Sequence, residues 1–243
     1  MTPNFPALLA SIMRCNAAYE PDDATARRAF SLLGCVVLDR YSTSTAQAVA
    51  HITPDGMQTL TISGTRVSEG PFASRFWDVF QDAEEVFSDH DLGGGAIVAS
   101  GAYQRGTELW RWAAGLFDPC HPIRIEGHSL GGQTTHAMLS IASPDRLGEL
   151  LAWEPPKAGN DQFWAQCGAR LNGAVTVLHG RDPWAGHPWI SASLFHPPGP
   201  ILWLPNTGGW QWTTRDAWPG PSAIHASDHD TDQVMRSVSR LCT

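Results

Sequence analysis

Apolar positions along the chain change period several times, and each change marks an element. Phe5, Leu8, Leu9, Ile12 and Met13 recur at helical spacing and predict a helix over 6–19; similar patterns predict helices over 24–33, 74–87, 102–117 and 230–241. Alternating or β-branched runs predict strands over 35–39, 46–53, 57–63, 96–100, 122–126, 150–153 and 174–179. The turn Pro54-Asp55-Gly56 makes a hairpin of the second and third runs. From there strands and helices alternate, the order of a mostly parallel sheet with helices on both faces. Runs at 200–204 and 210–213 flank Asn206-Thr207-Gly208-Gly209 and predict a C-terminal β-hairpin on the sheet edge. The expected fold class is therefore α/β, in one domain over 1–243, since no Pro/Ser-rich linker divides the chain.

One change of period carries chemistry. The strand-like Pro122-Ile123-Arg124-Ile125-Glu126 runs into Gly127-His128-Ser129-Leu130-Gly131-Gly132, and the residues from Gln133 to Ala142 have helical spacing. A G-x-S-x-G sequence on a strand-to-helix turn holds its serine in a strained conformation with the hydroxyl exposed at the end of the sheet. The helix N-terminus supplies N–H groups and a positive dipole suited to an oxyanion, with Leu130 N–H as the first donor. A structural Gly-rich connection is the plain alternative.

A serine nucleophile needs a histidine to take its proton and an acid to hold that histidine. The acid is sought first after Ser129, at the C-terminal end of a later strand, where sites in parallel sheets gather. Asp182, in His179-Gly180-Arg181-Asp182-Pro183 after the strand at 174–179, meets that condition, with an Asp-Pro turn as the alternative reading. For the histidine, His229 and His225 both precede the last helix; His229 is favoured because Ser227 or Asp228 can cap that helix and leave it at the mouth. His128, beside the serine, is set aside because adjacent side chains diverge, and His136 is assigned a packing role. The spacing of His225 and His229 matches no metal-protease pattern, so neither a metal nor a cofactor is expected. Ser63-Gly64-Thr65, at the end of an earlier strand, offers a second oxyanion donor through the Thr65 N–H.

Composition narrows the partners. With 16 basic and 24 acidic residues the net charge is −8, which disfavours nucleic acid or an anionic membrane face. The N-terminus lacks a basic segment followed by a long apolar one, and no apolar run has the length of a membrane span, so the expectation is a cytoplasmic protein, or one exported without a recognisable signal peptide, with no stable membrane insertion. Five scattered cysteines, Cys15, Cys35, Cys120, Cys167 and Cys242, fit reduced thiols. Gly93-Gly94-Gly95 precedes a strand and lacks the Lys-Ser/Thr of a phosphate loop.

Several of these segments together resemble the class 3 lipase family of α/β-hydrolases, which contains fungal triacylglycerol lipases and bacterial relatives. Ser63-Gly64-Thr65 followed by Trp77-Asp78 is similar to the family's oxyanion segment and the tryptophan helix after it. Gly127 to Gly132 matches its nucleophile elbow. The run from Glu154 to Asn160, followed by Phe163, resembles its Gly-x-Pro-Arg-x-Gly-Asn segment. His179 to Pro183 resembles the segment with the acid, and His229 the family histidine. The resemblance implies an α/β-hydrolase fold, a triad of Ser129, Asp182 and His229, and an oxyanion hole at Thr65 and Leu130. It implies a lipase or esterase acting through an acyl-enzyme on an acyl ester or lipid, with a phospholipase, an acyltransferase or an inactive binding relative as alternatives. Ser63 stands where the family has Arg, and the compact 66–75 segment and unpaired cysteines depart from its lidded, secreted members.

Overall fold

The computed structural model describes residues 2–43, 46–64, 89–188 and 193–242. Its centre is an eight-stranded sheet in the order β1 (Val36–Ser42), β2 (Gln47–Ile52), β3 (Gln58–Ile62), β6 (Ile123–His128), β7 (Leu147–Trp153), β8 (Ala174–His179), β9 (Ile201–Leu204), β10 (Gln211–Thr213). β3, β6, β7, β8 and β9 run parallel, while β1, β2 and β10 are antiparallel at the margins. This is an α/β-hydrolase arrangement with a mostly parallel sheet, and β9 and β10 form the C-terminal hairpin expected from the sequence.

Helices cover both faces because the inner strands carry apolar side chains on both sides, as buried parallel strands do. On one face α1 (Phe5–Ala17) and the terminal α6 (Thr231–Ser239) bring Phe5, Leu8, Ile12, Val234 and Val238 onto Trp153, Val177, Leu202 and Leu204. On the other, α3 (Ser100–Ala113) and α4 (Leu130–Ile141) bury Leu109, Ala113, Ala137 and Met138 against Leu60, Ile62, Ile125 and Leu150. α4 is buried on nearly every side, as expected of a helix held between a sheet and a second helix. α2 (Asp23–Leu32) closes the β1 side, its Phe30 packing with Cys35 and Val49.

The sequence pattern and the structure part in two places. The run at 96–100 forms β5 (Ile97–Ala99), which lies outside the central sheet and pairs with β4 (Asp89–Asp91) in a two-stranded ribbon. The ribbon is tied by Ala99 N–H to Ala158 O, 2.8 Å, to the segment that follows β7. A short helix, α5 (Asp161–Cys167), was not expected; Asn160 caps it by accepting from Phe163 N–H at 2.8 Å. The helix expected at 74–87 lies outside the described residues. All five cysteines are free thiols. No described helix is long and apolar enough to cross a membrane.

Candidate active site

Strand register assembles the site. Ile62 pairs with Gly127, and His128 pairs with Trp153, so continuing β3, β6 and β7 by one or two residues brings Gly64, Ser129 and Glu154 to one rim of the sheet. That rim is the C-terminal end of the parallel strands, where side chains from different loops converge. β8 ends there as well, at His179, and the loop beyond it carries Asp182.

Ser129 sits between β6 and α4 with φ 59° and ψ −127°. This left-handed backbone costs an L-residue on the order of 1–3 kcal/mol and persists only where its surroundings impose it. They do so here: Ser129 N–H donates to Trp153 O at 2.9 Å, and Ser129 O accepts from Gln133 N–H at 3.0 Å. A side chain at Gly131 would run into the backbone carbonyl of Ile62, so only glycine lets α4 start this close to β3. Leu130 is the first residue of α4, where helix N–H groups have no acceptor within the helix.

The three residues singled out from the sequence meet. His229, in a 3₁₀ segment over Ala223–His229, has Nε2 2.8 Å from Ser129 Oγ and Nδ1 2.7 Å from Asp182 Oδ2. Asp182 Oδ1 accepts from Trp184 N–H at 2.8 Å, which fixes the carboxylate plane. Asp182 and His229 are inaccessible and Ser129 is 1 % exposed. The Trp184 ring stands edge-on to the imidazole, with centroids 6.2 Å apart. His225 does not join this group: its Nδ1 faces Asp228 Oδ2 at 3.7 Å. His136 fills the packing role expected of it, buried against Thr176 Oγ1 at 2.9 Å, and burial pushes its pKa down to about 3.

Thr65 lies outside the described residues. Its neighbour Gly64 is tight against Ser129, since a Cβ there would come 2.7 Å from Ser129 Cβ. Gly64 N–H donates to the Tyr19 hydroxyl at 2.9 Å, and the same oxygen is 2.8 Å from His128 Nδ1. His128 Nε2 is 3.1 Å from the backbone carbonyl of His229 and 3.2 Å from Glu154 Oε2. A carbonyl can only accept, so Nε2 carries the imidazole proton and Nδ1 accepts from Tyr19 O–H. Burial, reinforced by the charge of His229, holds the His128 pKa well below the ordinary value and keeps the ring neutral.

His128, Tyr19 and Glu154 are thus members of the site that the sequence did not reveal. His128 was set aside for pointing away from the serine; it does, and thereby reaches the backbone of the other histidine. Tyr19 has no local signal at all. Atoms of His128, Glu154 and His229 suited to a metal lie within 4.8 Å of one another. The two nitrogens that face Glu154 already have protein partners, so a cation there would have to break the contact of His128 Nε2 to the His229 carbonyl and that of His229 Nδ1 to Asp182.

No protein-family model matches the sequence, and no curated protein matches it. Solved structures do match. The mono- and diacylglycerol lipase from Aspergillus oryzae superposes with a TM-score of 0.67 at 15% identity, over 94% of this chain and 96% of that one. Lipase II from Rhizopus niveus gives 0.61 at 18%, over 92% and 93%. A triacylglycerol lipase whose catalytic centre is a serine protease triad gives 0.64 at 18%, over 94% of both chains. The fold is that of the fungal-type, class 3 triacylglycerol lipases. At these identities the likeness to the lipases is one of architecture, and the chemistry rests on this chain's own residues.

Proposed function

We propose that the protein is a serine carboxylic ester hydrolase of the lipase/esterase type, a single hydrolase domain over 1–243. One observation carries the reading: a single buried imidazole spans Ser129 Oγ and Asp182 Oδ2, at 2.8 and 2.7 Å, on a serine held at positive φ. In this reading His229 Nε2 takes the Ser129 proton as Oγ attacks the ester carbonyl. Asp182 accepts from Nδ1–H, selecting the tautomer that leaves Nε2 free and stabilising the imidazolium. The Leu130 N–H and that of Thr65 bind the tetrahedral oxyanion, and His229 then protonates the departing alkoxide. Water, deprotonated by the same imidazole, releases the acid from the acyl-enzyme.

The acylglycerols named for the fold neighbours direct the substrate search to acyl esters of glycerol and simpler alcohols. The test is labelling by a fluorophosphonate together with hydrolysis of p-nitrophenyl acyl esters over a range of chain lengths. Wild-type protein is expected to label and turn over, and Ser129→Ala to do neither while keeping its circular dichroism spectrum. Turnover by Ser129→Ala at the wild-type rate would falsify the reading.

A further inference from the structure

Among the described residues, two that are not glycine have positive φ: Ser129 at 59° and Glu154 at 46°. They follow the ends of neighbouring strands β6 and β7. The strain at Ser129 has a use in presenting the hydroxyl to His229 Nε2, 2.8 Å away. Glu154 carries the same backbone penalty and adds another, because its carboxyl is inaccessible to solvent. A residue needed only to turn the chain here would be glycine.

The side chain points into the site. Glu154 Oε2 lies 3.2 Å from His128 Nε2 and 4.0 Å from His229 Nδ1, the nitrogen that Asp182 engages at 2.7 Å. Glu154 Oε1 is buried with no well-formed hydrogen bond. Its backbone is pinned independently, by Glu154 N–H to Val177 O at 2.8 Å, so the carboxyl is presented from a fixed point. We propose that Glu154 is a second acid of this site, a positioning residue that presents its carboxyl to His229 Nδ1 behind Asp182 and takes over when Asp182 cannot serve. The proposal rests on the serine hydrolase reading above.

The surrounding charges explain how two acids share one imidazole. Burial raises the Glu154 pKa well above the ordinary value, and the charges of Asp182, Asp228 and Asp230 add to this, against a lowering by the His179 backbone N–H. The facing His128 is neutral, and Tyr19, beyond it, is also held uncharged by burial. With Asp182 ionised, Glu154 therefore stays protonated; two adjacent carboxylates do not readily both ionise. Removing the Asp182 charge removes one cause of the shift. Burial, the largest cause, remains, so Glu154 loses its proton only as pH rises above the usual carboxylate range; a small side-chain rotation then closes the 4.0 Å gap to Nδ1–H. The Ser129 proton still passes to His229 Nε2, and the imidazolium is held by Glu154 instead.

The experiment compares Asp182→Ala, Glu154→Gln and the double variant on a p-nitrophenyl ester between pH 5 and 10. Replacing a triad acid that has no substitute costs about 10⁴-fold in kcat. Asp182→Ala alone is expected to lose about 10²-fold or less, with an acid limb displaced to higher pH that reports Glu154 ionisation. The double variant is expected to fall about a further 10²-fold and to lose that limb. Glu154→Gln alone should cost less than tenfold. Equal rates and pH profiles for Asp182→Ala and the double variant would overturn the proposal. Should Gln disturb folding, Glu154→Gly, which suits the positive φ, is read in its place with the same expected outcome. Ser129→Ala in each background separates the two levels: turnover that survives it removes the hydrolase reading itself, whereas equal Asp182 variants remove only the role of Glu154.

Discussion

Arg14 and Glu126 form a buried two-pronged ion pair between α1 and β6, Nε to Oε1 and Nη2 to Oε2, both 2.7 Å. Glu126 lies three residues before Ser129, so this pair locks the N-terminal helix to the strand that leads into Ser129. Burial acts to raise the Glu126 pKa, but Arg14, with the Thr61 hydroxyl, outweighs it and the net shift is downward. Arg14→Met should destabilise the fold by about 3–5 kcal/mol, because it strands a buried charge. Arg14→Met/Glu126→Leu should recover much of this. Urea unfolding checks both, and a double variant no more stable than Arg14→Met would show that the cost is lost packing.

The choice between the two histidines has a direct kinetic consequence. His229→Ala should lose about 10³-fold or more in kcat with fluorophosphonate labelling suppressed, since it removes the base of the proposed mechanism. His225→Ala, which removes only a 3.7 Å contact with Asp228, should stay within about threefold. Comparable losses in the two variants would reassign the base.

Tyr19→Phe deletes the one hydroxyl that joins Gly64 to His128. The Gly64 N–H loses its acceptor beside Ser129, and in the proposed mechanism the oxyanion donor that follows is held less firmly. We expect kcat to fall about tenfold with KM changed little, and stability to fall by about 1–3 kcal/mol. A change confined to stability would mean that Tyr19 supports the fold without holding the turn.

Acid should unfold the protein early. Burial pushes His51 and His136 down to about 3 and His196 down to about 4, so all three are neutral in the fold. Once unfolded they bind protons below the ordinary value of 6.5. Their contribution is therefore complete above that pH and is lost as pH falls, down to about 4 for His196 and about 3 for His51 and His136, with a slope of up to about 1.4 kcal/mol per pH unit for each. Urea titrations at pH 7, 6 and 5 measure it, and His51→Gln should flatten the dependence.

Glu154 works in the opposite direction. Its folded pKa is raised, so the unfolded chain releases that proton first and stability declines as pH rises above the usual carboxylate range. Glu154→Gly should raise Tm at pH 7, by relief of the positive φ and of burial together, and the gain should shrink toward pH 4. A variant less stable at every pH would mean that the carboxyl is better satisfied than its surroundings indicate.

How far the sequence spoke depended on range. Ser129 was legible because glycine spacing, a preceding strand and a following helix are all local, and Asp182 because strand ends in a parallel sheet follow a rule. His229 was preferred over His225 by helix capping, although the cap that forms is Asp230 Oδ1 accepting from Asp232 N–H. The β4–β5 ribbon escaped notice because Asp89-His90-Asp91 has no apolar alternation. Asn160 before Asp161 was a readable cap for α5, and the helix is too short for a periodic signal. Tyr19 and Glu154 could not be found locally: one enters from 109 residues before His128, and the other depends on a positive φ that no side chain advertises.

The row of strand ends also gives the molecule a working side and a handling side. Gly64, Ser129, Glu154 and Asp182 follow β3, β6, β7 and β8 in the order those strands hold in the sheet. The opposite rim lies about 17 Å away, five residues at roughly 3.3 Å each. Cys120 is an exposed thiol on that rim, just ahead of β6. A surface or probe coupled through it would leave the rim that carries Ser129 turned away from the attachment.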